Sequence, residues 1–204
     1  MGRSDRGDVH RPRDARPGAE RSESSRPPLY VAHTGSTSAE RFFALSIAGA
    51  RKSLYITNSY FAPDRNFIDL LVSAAQRGVD VRILTAGPRT DVNIVRLAGR
   101  AWYDTLLAAG VRVFEWQPGT LHAKTFVVDG EWSTVGSINF DNRSIALNDE
   151  ATLMVLDRAI GDQMSQIFFD DLRHASEITA ETFRRPSWLQ RVAEWGANSL
   201  TRLL

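Results

Sequence analysis

Twice in the middle of this chain a helical pattern stops on a glycine and runs at once into a β-branched strand. Gly78 precedes the strand-like run 79–85, and Gly110 precedes 111–116. A glycine just past a helix takes the left-handed conformation that other residues resist. Helices that return directly into such strands predict an α/β domain, with helices layered over a sheet. The helix before Gly78 is the clearest. Asp64 stands at its cap, and Phe67, Leu70, Leu71 and Ala74 fall at i, i+3, i+4 and i+7. Thr37 and Glu40 have capping-box spacing ahead of another helix, with Phe42, Phe43 and Leu45 as inward candidates. Residues 91–109 read as one long helix and 158–175 as the last. Strands are predicted over 53–61, 123–128, 133–137 and 151–156 as well. The expected fold is a mixed sheet flanked by helices on both faces.

Residues 1–28 stand apart. They carry seven arginines and five acids among Pro, Gly and Ser, with Val9 the one large aliphatic residue after Met1. Such a segment cannot bury enough surface to offset its ordering entropy, so it is expected to be a disordered tail. The domain is then 29–204. Hydrophobic residues make up 43% of the 204, enough for a substantial core. There is no cysteine, which excludes disulfides, zinc–cysteine sites and cysteine nucleophiles. No apolar run approaches the roughly 18 residues of a membrane span. The formal net charge of +1 argues against a nucleic-acid coat. Lys52 and Lys124 are the only lysines among 25 basic residues, which singles out Lys124.

The chemistry concentrates in Leu121–Glu150. His122 and Lys124 are two apart, so on a strand they share a face. There Lys124 disfavours protonation of His122, leaving a nucleophilic lone pair, while the ammonium supplies charge for an anionic substrate. Asp129 and Gly130 form a turn. Gly136 permits close backbone approach, and Ser137 and Asn139 can donate to phosphate oxygens. Glu150 is a carboxylate that could fix the imidazole tautomer. The ammonium of Lys124 would repel a cation, so neither metal nor cofactor is expected.

His122-x-Lys124-x4-Asp129-x6-Gly136-Ser137 resembles the signature of the phospholipase D superfamily. With Asn139, Asp141, Arg143, Ser144, Asn148 and Glu150 the string is similar to the C-terminal half of bacterial cardiolipin synthases. The resemblance covers 29–204. It implies a phosphatidyltransferase acting on phosphatidylglycerol-type lipids through a phosphohistidine on His122. Lys124, Asn139 and Ser137 would hold phosphate oxygens beside Gly136, Glu150 would orient His122, and Asp129 would shape the site. Members assemble one site from two such motifs, and this chain has one. Pairing with a second copy, or with another motif-bearing chain, is therefore expected. A homodimeric phosphodiesterase or nuclease and an inactive fragment stand as alternatives. The near-neutral body disfavours nucleic acid as a partner. Trp188, Leu189, Val192, Trp195, Leu200 and Leu203 approximate one face of a C-terminal amphipathic helix, which suits a membrane surface. Peripheral attachment at the cytoplasmic face of a bacterial membrane is the expected location.

Overall fold

The computed structural model describes residues 29–32, 38–141, 150–183 and Gly196. The expectations for the tail 1–28 and for the amphipathic C-terminal helix lie outside the described residues, Gly196 aside. Among the described residues the elements run β1 (Leu29–Ala32), α1 (Ser38–Gly49), β2 (Ser53–Asn58), α2 (Arg65–Gln76), β3 (Asp80–Ala86) and α3 (Asn93–Arg100). Then come α4 (Tyr103–Ala108), β4 (Arg112–Trp116), β5 (Lys124–Val128), β6 (Trp132–Gly136), β7 (Glu150–Leu156), α5 (Arg158–Leu172) and β8 (Ala175–Ile178). The strands form one eight-stranded mixed sheet in the order β1-β7-β6-β5-β2-β3-β4-β8. Strands β2, β3 and β4 are parallel, and every other pairing is antiparallel.

Alternation along β2 shows how the layers are built. Leu54 and Ile56 join the large core under α1, α2 and α4, while Tyr55 faces α5 and stacks on Phe168 at 5.1 Å. Leu84 and Phe114 point to the α5 side, and Ile83 and Val113 to the other. The sheet is therefore covered by helices on both faces, as the alternation predicts. Asp64 caps α2 by accepting the Phe67 N–H at 2.9 Å. Gly78 (φ 89°) and Gly110 (φ 88°) take the left-handed turns that release the chain into β3 and β4.

Three local expectations need correction. Leu45 is 73% exposed. The buried face of α1 is Ala39, Phe43 and Ile47, with Ala50 just beyond its end, and Leu45 lies two positions from both Phe43 and Ile47, on the opposite side. The helix expected over 91–109 is two helices, broken at Ala101–Trp102. Gly99 rests its bare Cα against the Phe61 carbonyl, which draws α3 toward the β2–α2 loop, whereas α4 packs on α2 and β4. Arg96 and Arg100 then meet the buried Glu115 carboxylate at 2.8 and 2.5 Å, tying α3 to β4. Finally, the last helix ends at Leu172, and Ala175 already belongs to β8. Strands β1 and β8, the two sheet edges, were not expected. Both are four-residue strands, and β8 is held to β4 through the Arg112–Glu177 pair at 2.7 Å.

Candidate active site

The candidate residues collect at one end of the sheet because neighbouring strands alternate direction there. Asn58 ends β2 opposite Lys124, which begins β5. Gly136 ends β6 opposite Thr152, two residues into β7. The exits of β2, β3, β4 and β6 and the entries of β5 and β7 thus line one edge. Ligands in sheets with parallel strands gather at such carboxyl ends.

Lys124 is 8% exposed, and its ammonium donates to the His122 carbonyl oxygen at 2.9 Å. Burial pulls its pKa below the usual lysine value, while the Glu150 and Asp91 carboxylates oppose that shift. His122 is exposed and lies in the segment just before β5, since the strand begins at Lys124. The two residues do not, then, share a strand face. Their link runs from the ammonium to the peptide carbonyl, which fixes the backbone of His122 and leaves the imidazole at the surface.

Glu150 is buried to 9% exposure at the start of β7. The Ser137 hydroxyl donates to its carboxylate and accepts from the Ala151 N–H at 3.1 Å. A serine has one proton to give. Here Glu150 takes it, so Ser137 fixes the Glu150 carboxylate. The expectation for Gly136 is corrected. A Cβ there would run into Thr152 and the Ala151 carbonyl, so the close approach it permits is that of β7, not of a ligand. Asn139 accepts from the Ser59 hydroxyl at 2.9 Å through Oδ1, which makes its nitrogen the donor end of the amide.

Asp129 is not brought to this end. It sits in the β5–β6 turn with φ 55°, beyond the five residues of β5, roughly 17 Å of strand from Lys124. Its carboxylate accepts from the backbone N–H groups of Arg51, Lys52 and Ser53 at 3.1, 2.7 and 2.9 Å. Asp129 therefore anchors the loop entering β2, at the far end of β5 from Lys124. Asp141 forms an isolated bridge with Ala62. Arg143, Ser144 and Asn148 lie outside the described residues.

Sequence reasoning missed two features. Asn58, 1% exposed, donates to the Ile138 carbonyl at 3.2 Å and accepts from the Phe140 N–H at 3.0 Å. It clasps the loop that carries Asn139. The available signal was a polar Asn-Ser pair closing an apolar strand. The second is Tyr60, whose hydroxyl donates to Asp91 at 2.7 Å. Burial and that carboxylate push the Tyr60 pKa up to about 12, and the same bond lowers Asp91. Among the described residues no cluster of three His, Asp or Glu could hold a metal, and no helix is long and apolar enough to cross a membrane.

Comparison with known sequences supplies the family. The domain model described as cardiolipin synthase, phospholipase D-like domain matches residues 45–172, more than half the chain. The chain belongs to this family. Similar relatives of this phospholipase D-like domain include cardiolipin synthase A of Pseudomonas entomophila, 44% identical over 151 residues. That alignment covers 74% of this chain and 31% of the relative. Cardiolipin synthase of Geobacillus kaustophilus is 39% identical over 163 residues, 80% of this chain and 31% of the relative. The chain thus spans about a third of the curated relatives it matches. Among solved structures, the phospholipase D family member Nuc of Salmonella typhimurium has the same fold, with a TM-score of 0.65 at 19% identity. The match covers 76% of this chain and all of Nuc. Phosphatidylserine synthase of Haemophilus influenzae matches with a TM-score of 0.62 at 16% identity, over 88% of this chain and 48% of that one.

Proposed function

We propose that this phospholipase D-like domain is a phosphatidyltransferase of the cardiolipin synthase type, working through a phosphohistidine on His122. In the first step a His122 ring nitrogen bonds to the phosphorus of phosphatidylglycerol, and the phosphorus–oxygen bond to the terminal glycerol breaks. A second histidine gives that glycerol its proton. In the second step the free hydroxyl of another phosphatidylglycerol attacks the phosphohistidine, returns a proton to the second histidine and releases His122. Lys124 and the amide nitrogen of Asn139 stabilise charge on the phosphoryl oxygens. Glu150, fixed by Ser137, orients His122. The observation that carries this reading is the convergence of Lys124, Asn139, Ser137 and Glu150 on the sheet end next to His122.

The second histidine belongs to a second motif of the same kind, supplied by the His122 of a second copy in a two-fold pair or by another motif-bearing chain. The lipid substrate sets the place of work at a bilayer, with peripheral attachment at its cytoplasmic face.

The test is turnover of phosphatidylglycerol vesicles by the full chain, with its mass in solution measured by light scattering. A dimer should release cardiolipin and glycerol in equal amounts, and His122→Ala should release neither. Turnover retained in His122→Ala would overturn the mechanism. Phosphatidic acid in place of cardiolipin would make water the acceptor, and an inert monomer would favour the inactive fragment.

A further inference from the structure

The edge that carries His122 continues past it. Pro88 and Arg89 follow β3, Gln117 and Pro118 follow β4, and His174 precedes β8. Together they line a cleft of about 410 Å³, within the range of small-molecule sites. It is built rather than incidental. The Gln117 N–H donates to the His174 carbonyl at 3.2 Å, and the Gln117 side chain donates to the Glu115 carbonyl at 2.9 Å. Trp116 packs edge-on against the His174 ring at 6.0 Å. Arg89 reaches the Pro118 carbonyl at 3.4 Å, and Thr120 reaches the Arg89 carbonyl at 3.5 Å. Those contacts tie the cleft to the 117–123 segment that delivers His122.

Its chemistry suits an anion. Arg89 is exposed and enters none of the ion pairs formed among the described residues. No carboxylate is among the described residues that line the cleft. Of the acids nearby, Asp91 is occupied by the Tyr60 hydroxyl, and Asp171 lies beside His174 at the end of α5. Pro88 and Pro118 have no N–H to offer and supply apolar walls. A guanidinium and an imidazole facing apolar walls match a phosphate diester on a glycerol backbone.

We infer that this cleft seats the acceptor's own phosphate, held by Arg89 and His174 while the acceptor's glycerol hydroxyl reaches the phosphohistidine. The inference rests on the reading above and adds the acceptor subsite to it. The exit of β3 lies two strand spacings from β5, about 10 Å. From the Arg89 side a three-carbon glycerol bridge and the length of an arginine side chain cover that gap; His174, before β8, lies four spacings from β5, about 19 Å, and closes the far side of the cleft. The subsite would select a lipid acceptor over water, because only an acceptor bearing a phosphate gains from it.

The test is nuclear magnetic resonance of the full chain titrated with monomeric dihexanoyl phosphatidylglycerol, with sn-glycerol 3-phosphate as the comparison probe. Saturable shifts are expected at the His174 ring and the Arg89 side chain, and they should persist in His122→Ala. The Kd should weaken about tenfold in Arg89→Gln, as for loss of a charge-assisted hydrogen bond, with a weaker effect in His174→Gln. KM for phosphatidylglycerol should rise with it. No shift at His174, or an unchanged Kd in Arg89→Gln, would overturn the subsite. Glycerol 3-phosphate binding as tightly as the diester would overturn its assignment to a lipid headgroup. Binding at the cleft without turnover would leave the subsite standing and remove the transferase. Turnover with an indifferent cleft would do the reverse.

Discussion

Asn58 makes the most demanding test of how the site is held. Its side chain is 1% exposed, and both backbone groups it satisfies belong to Ile138 and Phe140, each 2% exposed. Asn58→Ala leaves a carbonyl and an N–H without their partner in a dry interior. Each such orphan costs about 1–3 kcal/mol. Taking about 3 kcal/mol for the pair, and 2–4 °C per kcal/mol at this size, the melting point should fall by roughly 6–12 °C. Asn58→Asp keeps an acceptor for the Phe140 N–H but offers the Ile138 carbonyl no donor, so it cannot restore the clasp. The competing account is that the ring cluster of Phe140 with Phe43 at 4.8 Å and Phe67 at 5.4 Å already fixes the loop. Thermal melts of parent and both variants, with turnover measured per folded molecule, separate the two. A melting point for Asn58→Ala within about 2 °C of the parent would refute the clasp and leave the aromatic cluster as the support.

Two further outcomes follow from the electrostatics and the anchor. Lys124 has a folded pKa below its ordinary 10.5 because it is buried. The unfolded chain therefore binds more protons in the window just below 10.5, and stability rises with pH there. The charge itself is lost over the same window, so turnover should fall as stability rises. A stability curve and a turnover curve that fall together below about pH 10 would refute this; from 10.0 upward the raised Tyr55, Tyr60 and Tyr103 lower stability, because the unfolded tyrosines lose their protons first. Asp129→Ala should cost about 2–3 kcal/mol in urea unfolding, from three N–H groups losing their acceptor and from alanine strained at a positive φ. Its turnover per folded molecule should stay far above that of His122→Ala, and an equal loss would return Asp129 to the chemistry.

What could be read from sequence was local. The cap on Asp64, the release of the chain at Gly78 and Gly110, and strands β2 to β7 depend on residues close in the chain, and each lies within about three residues of its expected bounds. What could not be read depended on distant partners. Leu45 looks like a core residue until the positions of Phe43 and Ile47 show which side of α1 faces the sheet. The break after Arg100 stands beside Gly99, a weak helix former, but its place is set by Gly99 meeting the Phe61 carbonyl. The edge strands β1 and β8 exist because β7 and β4 offer them hydrogen bonds. The site divides the same way. His122, Lys124, Asn139 and Glu150 stood out by residue type and spacing. The Asn58 clasp, the Ser137–Glu150 bond and the distance of Asp129 are products of pairing across the sheet.

That distance gives the motif a physical meaning. Lys124 and Asp129 bound a five-residue strand, so the four residues between them measure its length. At one end the strand presents Lys124 beside Asn58. At the other, Asp129 grips the three N–H groups where β2 begins, and its own N–H donates to the Ser53 carbonyl at 3.0 Å. The grip therefore sets the register between β5 and β2. A slip of one residue would turn every side chain of β5 to the other face. Lys124 would leave Asn58, and the clasp on the Asn139 loop would no longer lie beside the ammonium. A carboxylate a full strand away can govern the proposed phosphate binding in this way without touching a phosphate. The motif then reads as a measured strand with charge at one end and its register pin at the other.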